Sequence, residues 1–133
     1  MRVVFDTNVL ISGFLTTAGI SQHVVMVAVK PHQVIVSEYI LKELEHKLTG
    51  KLGVPQELVK EAVHFLRRRA LVLNVHENPT IDFPDKKDKP ILSLVEASKA
   101  NYFVTGDKKL LALKKFGPTL FLSPREAMEI FTD

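Results

Sequence analysis

The sequence predicts an α/β fold, a three-layer α/β/α sandwich with a central parallel sheet of about four to five strands. Two observations carry that expectation. Short β-branched and aromatic runs alternate with longer stretches of helical periodicity along the chain. Those runs are apolar throughout rather than alternately polar, as strands buried on both faces must be. The absence of repeats, low-complexity segments and linker composition adds the expectation of a single domain over residues 1–133.

Each element has a local reason. Residues 2–5 form the first strand, which stops at Asp6-Thr7-Asn8, after which Val9, Leu10, Ile11, Phe14 and Leu15 recur at helical spacing. Ser21 can cap a second apolar helix over residues 22–29 before Pro31 prevents its continuation. Residues 33–36 are the second strand, and Ser37 is a natural N-cap for a helix whose apolar stripe is Ile40, Leu41, Leu44 and Leu48, ending near Gly50. Pro55 opens the next helix at its first helical position, and the cations Arg67, Arg68 and Arg69 suit its C-terminal dipole. Residues 70–75 are the third strand. The polar stretch 76–89, with two prolines, is expected to be an irregular loop. Pro90 starts a helix that leads into the strand 101–104, and Thr105-Gly106-Asp107 turns that strand into a short helix over 108–114. Gly117-Pro118 precedes the last strand, 119–122, and Ser123-Pro124-Arg125-Glu126 reads as a capping box before the final helix.

Composition narrows the chemistry. The 133 residues are 46% hydrophobic and 25% charged, enough for a core without staples. With no cysteine there is no disulfide, thiolate metal site or cysteine nucleophile, so any metal must be held by oxygen or imidazole. The net charge of +3 is compatible with polyanion binding without diagnosing it. No apolar stretch approaches the roughly 20 residues of a membrane span, and residues 2–5 run into Asp6 unlike a signal peptide. A cytoplasmic protein making no membrane contact is expected.

In an open α/β sheet the functional crevice lies outside the carboxyl ends of the strands. Asp6 follows the first strand directly and Asp107 follows the fourth after a short turn. Glu43 lies in the second turn of the helix after the second strand, and Asp88 stands at a helix start after the long loop. One such Asp is ordinarily a helix cap, and a lone Glu a solvated helix residue. Four acids drawn to one edge are different, because gathered carboxylates repel unless a cation or shared proton offsets them. Mg²⁺ or Mn²⁺ suits an oxygen-only cleft, and its natural substrate group is a phosphate.

The segments Val4-Phe5-Asp6-Thr7-Asn8-Val9-Leu10, Ser37 to Leu44 with Glu43, Asp85-Lys86-Lys87-Asp88-Lys89-Pro90-Ile91-Leu92, and Val104-Thr105-Gly106-Asp107-Lys108-Lys109-Leu110-Leu111 together resemble a PIN domain. The order and spacing match across nearly the whole chain, and the likeness is greatest to the prokaryotic group of toxins related to the VapC type. The resemblance implies a metal-dependent ribonuclease with Asp6, Glu43, Asp88 and Asp107 as its acidic site and Mg²⁺ or Mn²⁺ as cofactor. It also implies supporting roles for Asn8 and Thr105, which could hold a carboxylate or water by hydrogen bonding. Relatives carry a denser acidic run where this chain has Asp85-Lys86-Lys87-Asp88-Lys89; Asp88 is the better match because it immediately precedes the helix start.

Single-stranded or structured RNA is the expected substrate, with Lys86, Lys87 and Lys108, flanked by Lys89 and Lys109, forming a positive rim for its backbone. The apolar helices over 22–29 and 58–66 are first of all core, with some surface left for an antitoxin helix or a second copy of the chain in a homodimer. His23, His32, His46, His64 and His76 show no paired ligand spacing and read as structural or exposed. The competing reading is a catalytically weak module of the same fold that binds RNA or protein. A phosphatase using Asp6 as nucleophile would want a second Asp two positions on, where this chain has Asn8.

Overall fold

The computed structural model describes residues 1–15, 32–76, 79–80 and 86–131, and the expected helix over 22–29 lies outside them. The strands are β1 (Arg2–Phe5), β2 (Gln33–Ser37), β3 (Leu71–Leu73), β4 (Tyr102–Val104), β5 (Lys115–Phe116) and β6 (Thr119–Leu122). The described helices are α1 (Thr7–Leu15), α2 (Glu38–His46), α3 (Gln56–Arg69), α4 (Lys89–Ser98), α5 (Lys108–Leu111) and α6 (Pro124–Phe131).

One sheet contains the six described strands in the order β3-β2-β1-β4-β6-β5. The first five are parallel neighbours, with Val4 opposite Ile35 on one side and Phe103 on the other. Consecutive residues Val3, Val4 and Phe5, and likewise Val34, Ile35 and Val36, are buried, so both faces of these strands are covered. That is why the sequence reads there as unbroken apolar runs. Phe103 and Phe121 meet edge to face across β4 and β6, with ring centroids 5.1 Å apart.

Chain order explains where a cleft can open. From β1 the chain builds outward through β2 to β3, then returns to place β4 on the opposite side of β1. The direction of winding therefore reverses between β1 and β4. At such a reversal the connections leave in opposite directions, so the carboxyl ends of the two strands border a crevice.

Several local features differ from the sequence expectation. The sixth strand, β5, is additional to it; β5 pairs antiparallel with β6 through the two-residue turn Gly117-Pro118, where Gly117 takes φ +58°. Two residues are too short to show periodicity. The helix expected over 108–114 stops at Leu111, and Lys114 takes a left-handed φ of 61° as the chain enters β5. Within the expected irregular stretch 76–89, Lys86–Asp88 form a 3₁₀ turn that feeds directly into α4 at Lys89. The strand expected over 70–75 spans only Leu71–Leu73. Pro55 caps α3 from outside rather than occupying its first position.

Two caps behave as expected. Ser37 Oγ accepts the Ile40 N–H at 3.1 Å, and Ser123 and Glu126 exchange hydrogen bonds at 3.1 and 3.0 Å. Beyond His46, α2 continues as a π-helical turn, Lys47–Lys51, closed by Leu52 N–H donating to the Lys47 carbonyl at 3.2 Å.

Candidate active site

Asp6 enters its position because β1 ends there and α1 begins. Its N–H completes the ladder to the Val104 carbonyl at 2.8 Å, while its own carbonyl already accepts the N–H groups of Val9 and Leu10. The side chain is thus held at the junction of strand and helix, 8% exposed. Thr105, fully buried at the end of β4, donates its hydroxyl to Asp6 Oδ2 at 2.7 Å. The same Thr105 Oγ1 accepts the Asp107 N–H at 3.1 Å. One hydroxyl therefore ties the ends of β1 and β4 together.

Asp107 caps α5, with Oδ1 accepting the Lys109 N–H at 2.8 Å. Capping and facing the cleft coexist here. Asp88 is different, since it precedes α4 but its side chain makes no capping hydrogen bond. Glu43 projects from α2, where Tyr39 donates its hydroxyl to Oε2 at 3.1 Å and Lys47 Nζ lies 3.9 Å from Oε1.

All four acids, Asp6, Glu43, Asp88 and Asp107, line one cleft of about 910 Å³. Asn8, Gly106, Ile91, Tyr39, His46, Lys47, Lys51 and Lys87 complete its walls. Of the two expected supporting residues, Thr105 contacts Asp6 directly, whereas Asn8 Oδ1 accepts from Lys47 Nζ at 3.3 Å. Among the expected lysines, Lys87 lines the cleft, while Lys86 and Lys108 are exposed and lie outside its lining. Asp85 lies outside the described residues.

Four cleft residues with polar side chains were missed by sequence reasoning: Tyr39, His46, Lys47 and Lys51. A signal was present. Tyr39, Glu43, Lys47 and Lys51 succeed one another at intervals of four, the spacing that keeps side chains on one helical face. His46, expected to be structural or exposed, is exposed, yet it borders this cleft.

Electrostatics mark Asp6. Burial pushes its carboxyl above the ordinary value, and the negative charge of Glu43 adds to that; the hydrogen bonds from Thr105 and the Thr7 N–H oppose it, as does the charge of Lys47. The Tyr39 hydroxyl is pushed up by burial and then by Glu43 and Asp88. A group of negative charges in a partly desolvated hollow favours a cation.

The donor chemistry fits a hard divalent ion, since carboxylates and a carboxamide face the cleft and the chain has no thiolate. Among the described residues no three acidic or histidine side chains are gathered closely enough to form a ready-made ligand group.

Comparison with known proteins identifies the family. A PIN domain profile matches residues 2–109, and the chain belongs to the PIN domain family. Among solved structures the fold is similar to a chain of VapBC2 from Rickettsia felis, determined bound to a DNA fragment from their promoter. The TM-score is 0.68 at 14% sequence identity, covering 92% of this chain and 98% of that one. No curated protein sequence matches significantly.

Proposed function

We propose that the protein is a divalent-metal-dependent endoribonuclease that hydrolyses RNA phosphodiester bonds at the acidic cleft. The observation that carries this reading is the convergence of Asp6, Glu43, Asp88 and Asp107, from four separate segments, on one hollow at the β1/β4 reversal. Membership of the PIN domain family supports the same reaction class.

In this reading Asp6, Glu43, Asp88 and Asp107 hold Mg²⁺ or Mn²⁺. When bound, the ion polarises the phosphoryl oxygen and offsets charge developing on the leaving oxygen. Thr105 orients the Asp6 carboxylate and, through the Asp107 N–H, fixes the spacing of two acids on adjacent strand ends. Lys51 and Lys87 stand on the walls where a polyanionic backbone would enter. Each phosphate they contact is held beside the acids without supplying base specificity.

The similarity to the VapBC2 chain supports a toxin role with an antitoxin-type protein partner. A homodimer and a cytoplasmic location belong to the same proposal. Among the described residues no helix is long and apolar enough to cross a membrane. One observation favours the second reading, a catalytically weak binding module: no three-residue ligand group is already assembled among the described residues.

Cleavage of a labelled single-stranded RNA with Mg²⁺ or Mn²⁺ tests the proposal. Cleavage should be abolished by EDTA and by the Asp6→Asn, Asp107→Asn double variant with its fold intact. Cleavage that survives the double variant points to a contaminating nuclease. RNA binding without metal-dependent cleavage would transfer the assignment to the binding module.

A further inference from the structure

The acidic cleft contains a positive charge that the proposed reaction does not use. Lys47 begins the π-helical turn after α2, one helical turn beyond Glu43, and is about one-third exposed. Its ammonium nitrogen lies 3.9 Å from Glu43 Oε1 and 3.3 Å from Asn8 Oδ1. It thereby bridges α2 to α1, across 39 positions of sequence. The field of the same ammonium acts on the buried Asp6 carboxylate.

A surface Glu-Lys pair one turn apart is ordinarily a weak decoration of a helix. Lys47 differs because its second partner is on another element and both partners face the acidic hollow. We propose that Lys47 is a tethered counter-cation: its ammonium neutralises the Glu43 and Asp6 corner of the cleft, and a divalent cation binds there by displacing it. This inference rests on the metal-dependent reading above.

The geometry suits an exchangeable group. The approach to Glu43 is long for a charge-assisted hydrogen bond, and the lysine stem is flexible, so little directional bonding opposes release. Tyr39 meanwhile keeps a hydrogen bond on the other oxygen of Glu43, which holds that carboxylate in the cleft when the ammonium leaves. A released Lys47 remains on the wall, beside Lys51, where an RNA phosphate could take it up. Competition between an internal cation and a metal makes metal affinity a property of Lys47 as well as of the acids.

Calorimetric titration of the full chain with Mn²⁺ alone, without RNA, reads the exchange directly. Lys47→Met, which keeps the stem and removes the charge, should bind Mn²⁺ about tenfold more tightly than wild type, as loss of one nearby positive charge in a partly screened site implies. Lys47→Arg should restore wild-type affinity. In EDTA the Lys47→Met protein should melt below wild type, and saturating Mn²⁺ should raise its Tm by more than it raises that of wild type. Lys47→Gln provides the same charge removal should Lys47→Met fold poorly.

Equal or weaker Mn²⁺ binding by the neutral variants, with wild-type binding intact and lost in Asp6→Asn, overturns the role of Lys47 and leaves the metal reading standing. Absence of Mn²⁺ binding from wild type and neutral variants alike overturns both. Binding that appears only when Lys47 is neutral supports the exchange in its strongest form.

Discussion

Burial and the charge of Glu43 raise the Asp6 carboxyl above its ordinary value, while the Thr105 hydroxyl and the Thr7 N–H restrain the rise. The folded protein therefore retains a proton that the unfolded chain has already released. Stability falls as pH rises from the ordinary carboxylate value to the raised one, and the full penalty is present above it. Asp6→Asn should accordingly raise Tm at pH 7 while abolishing cleavage, and the gain should vanish below the ordinary carboxylate range. Thermal melts across pH check this; a Tm at pH 7 no higher than that of wild type would contradict the assigned burial penalty. Thr105→Ala removes the 2.7 Å hydrogen bond and should cost about 1–3 kcal/mol in chemical denaturation. It should also move the acid limb of the pH–rate profile upward, because a hydrogen bond that favours the ionised carboxylate is gone. Thr105→Ser should restore both.

Individual elements show why some features were readable and others were not. Ser37 and the Ser123 to Glu126 box were legible because capping depends on residues within one turn of each other. Ser37→Ala should cost about 1 kcal/mol in urea denaturation and loosen the start of the helix that carries Glu43. β5 was illegible because two residues paired through one turn leave no periodic trace. The cationic wall was only half legible: proximity in sequence pointed to Lys86, Lys87 and Lys108, whereas helical continuation through the π turn brings Lys47 and Lys51 to the acids. A Lys51→Ala, Lys87→Ala variant should weaken RNA binding more than Lys86→Ala, Lys108→Ala. Its log–log salt slope should flatten by roughly 0.7 for each single-strand phosphate that is no longer neutralised. Identical slopes for the two pairs would remove the wall from the proposed RNA path.

At the scale of the whole molecule, the sheet order does the assembling. Had β4 been added beyond β3 instead of beside β1, Asp6 and Asp107 would leave from distant strands and Thr105 could not reach Asp6. A folded-state metal site also couples the cleft to global stability, since a ligand that binds only the folded form stabilises it by mass action. Mn²⁺ at about 100 times its Kd should add about 2.7 kcal/mol to unfolding free energy, and Asp6→Asn should lose that increment. An unchanged melting curve at saturating metal would count against a folded-state site. By itself the sequence determined the α/β class, the five main strands, the buried character of β1 and β2 though not of β3, whose Leu71 is exposed, and the acids at strand ends and helix starts, because each follows from periodicity, capping or turn chemistry within a few residues. Only the tertiary structure decided that four acids share one cleft, that Thr105 bridges two of them and that Lys47 stands among them. Those relations join residues as distant in the chain as Asp6 and Asp107, and their physical cause is the order in which strands lie side by side, which no local interval along the chain encodes.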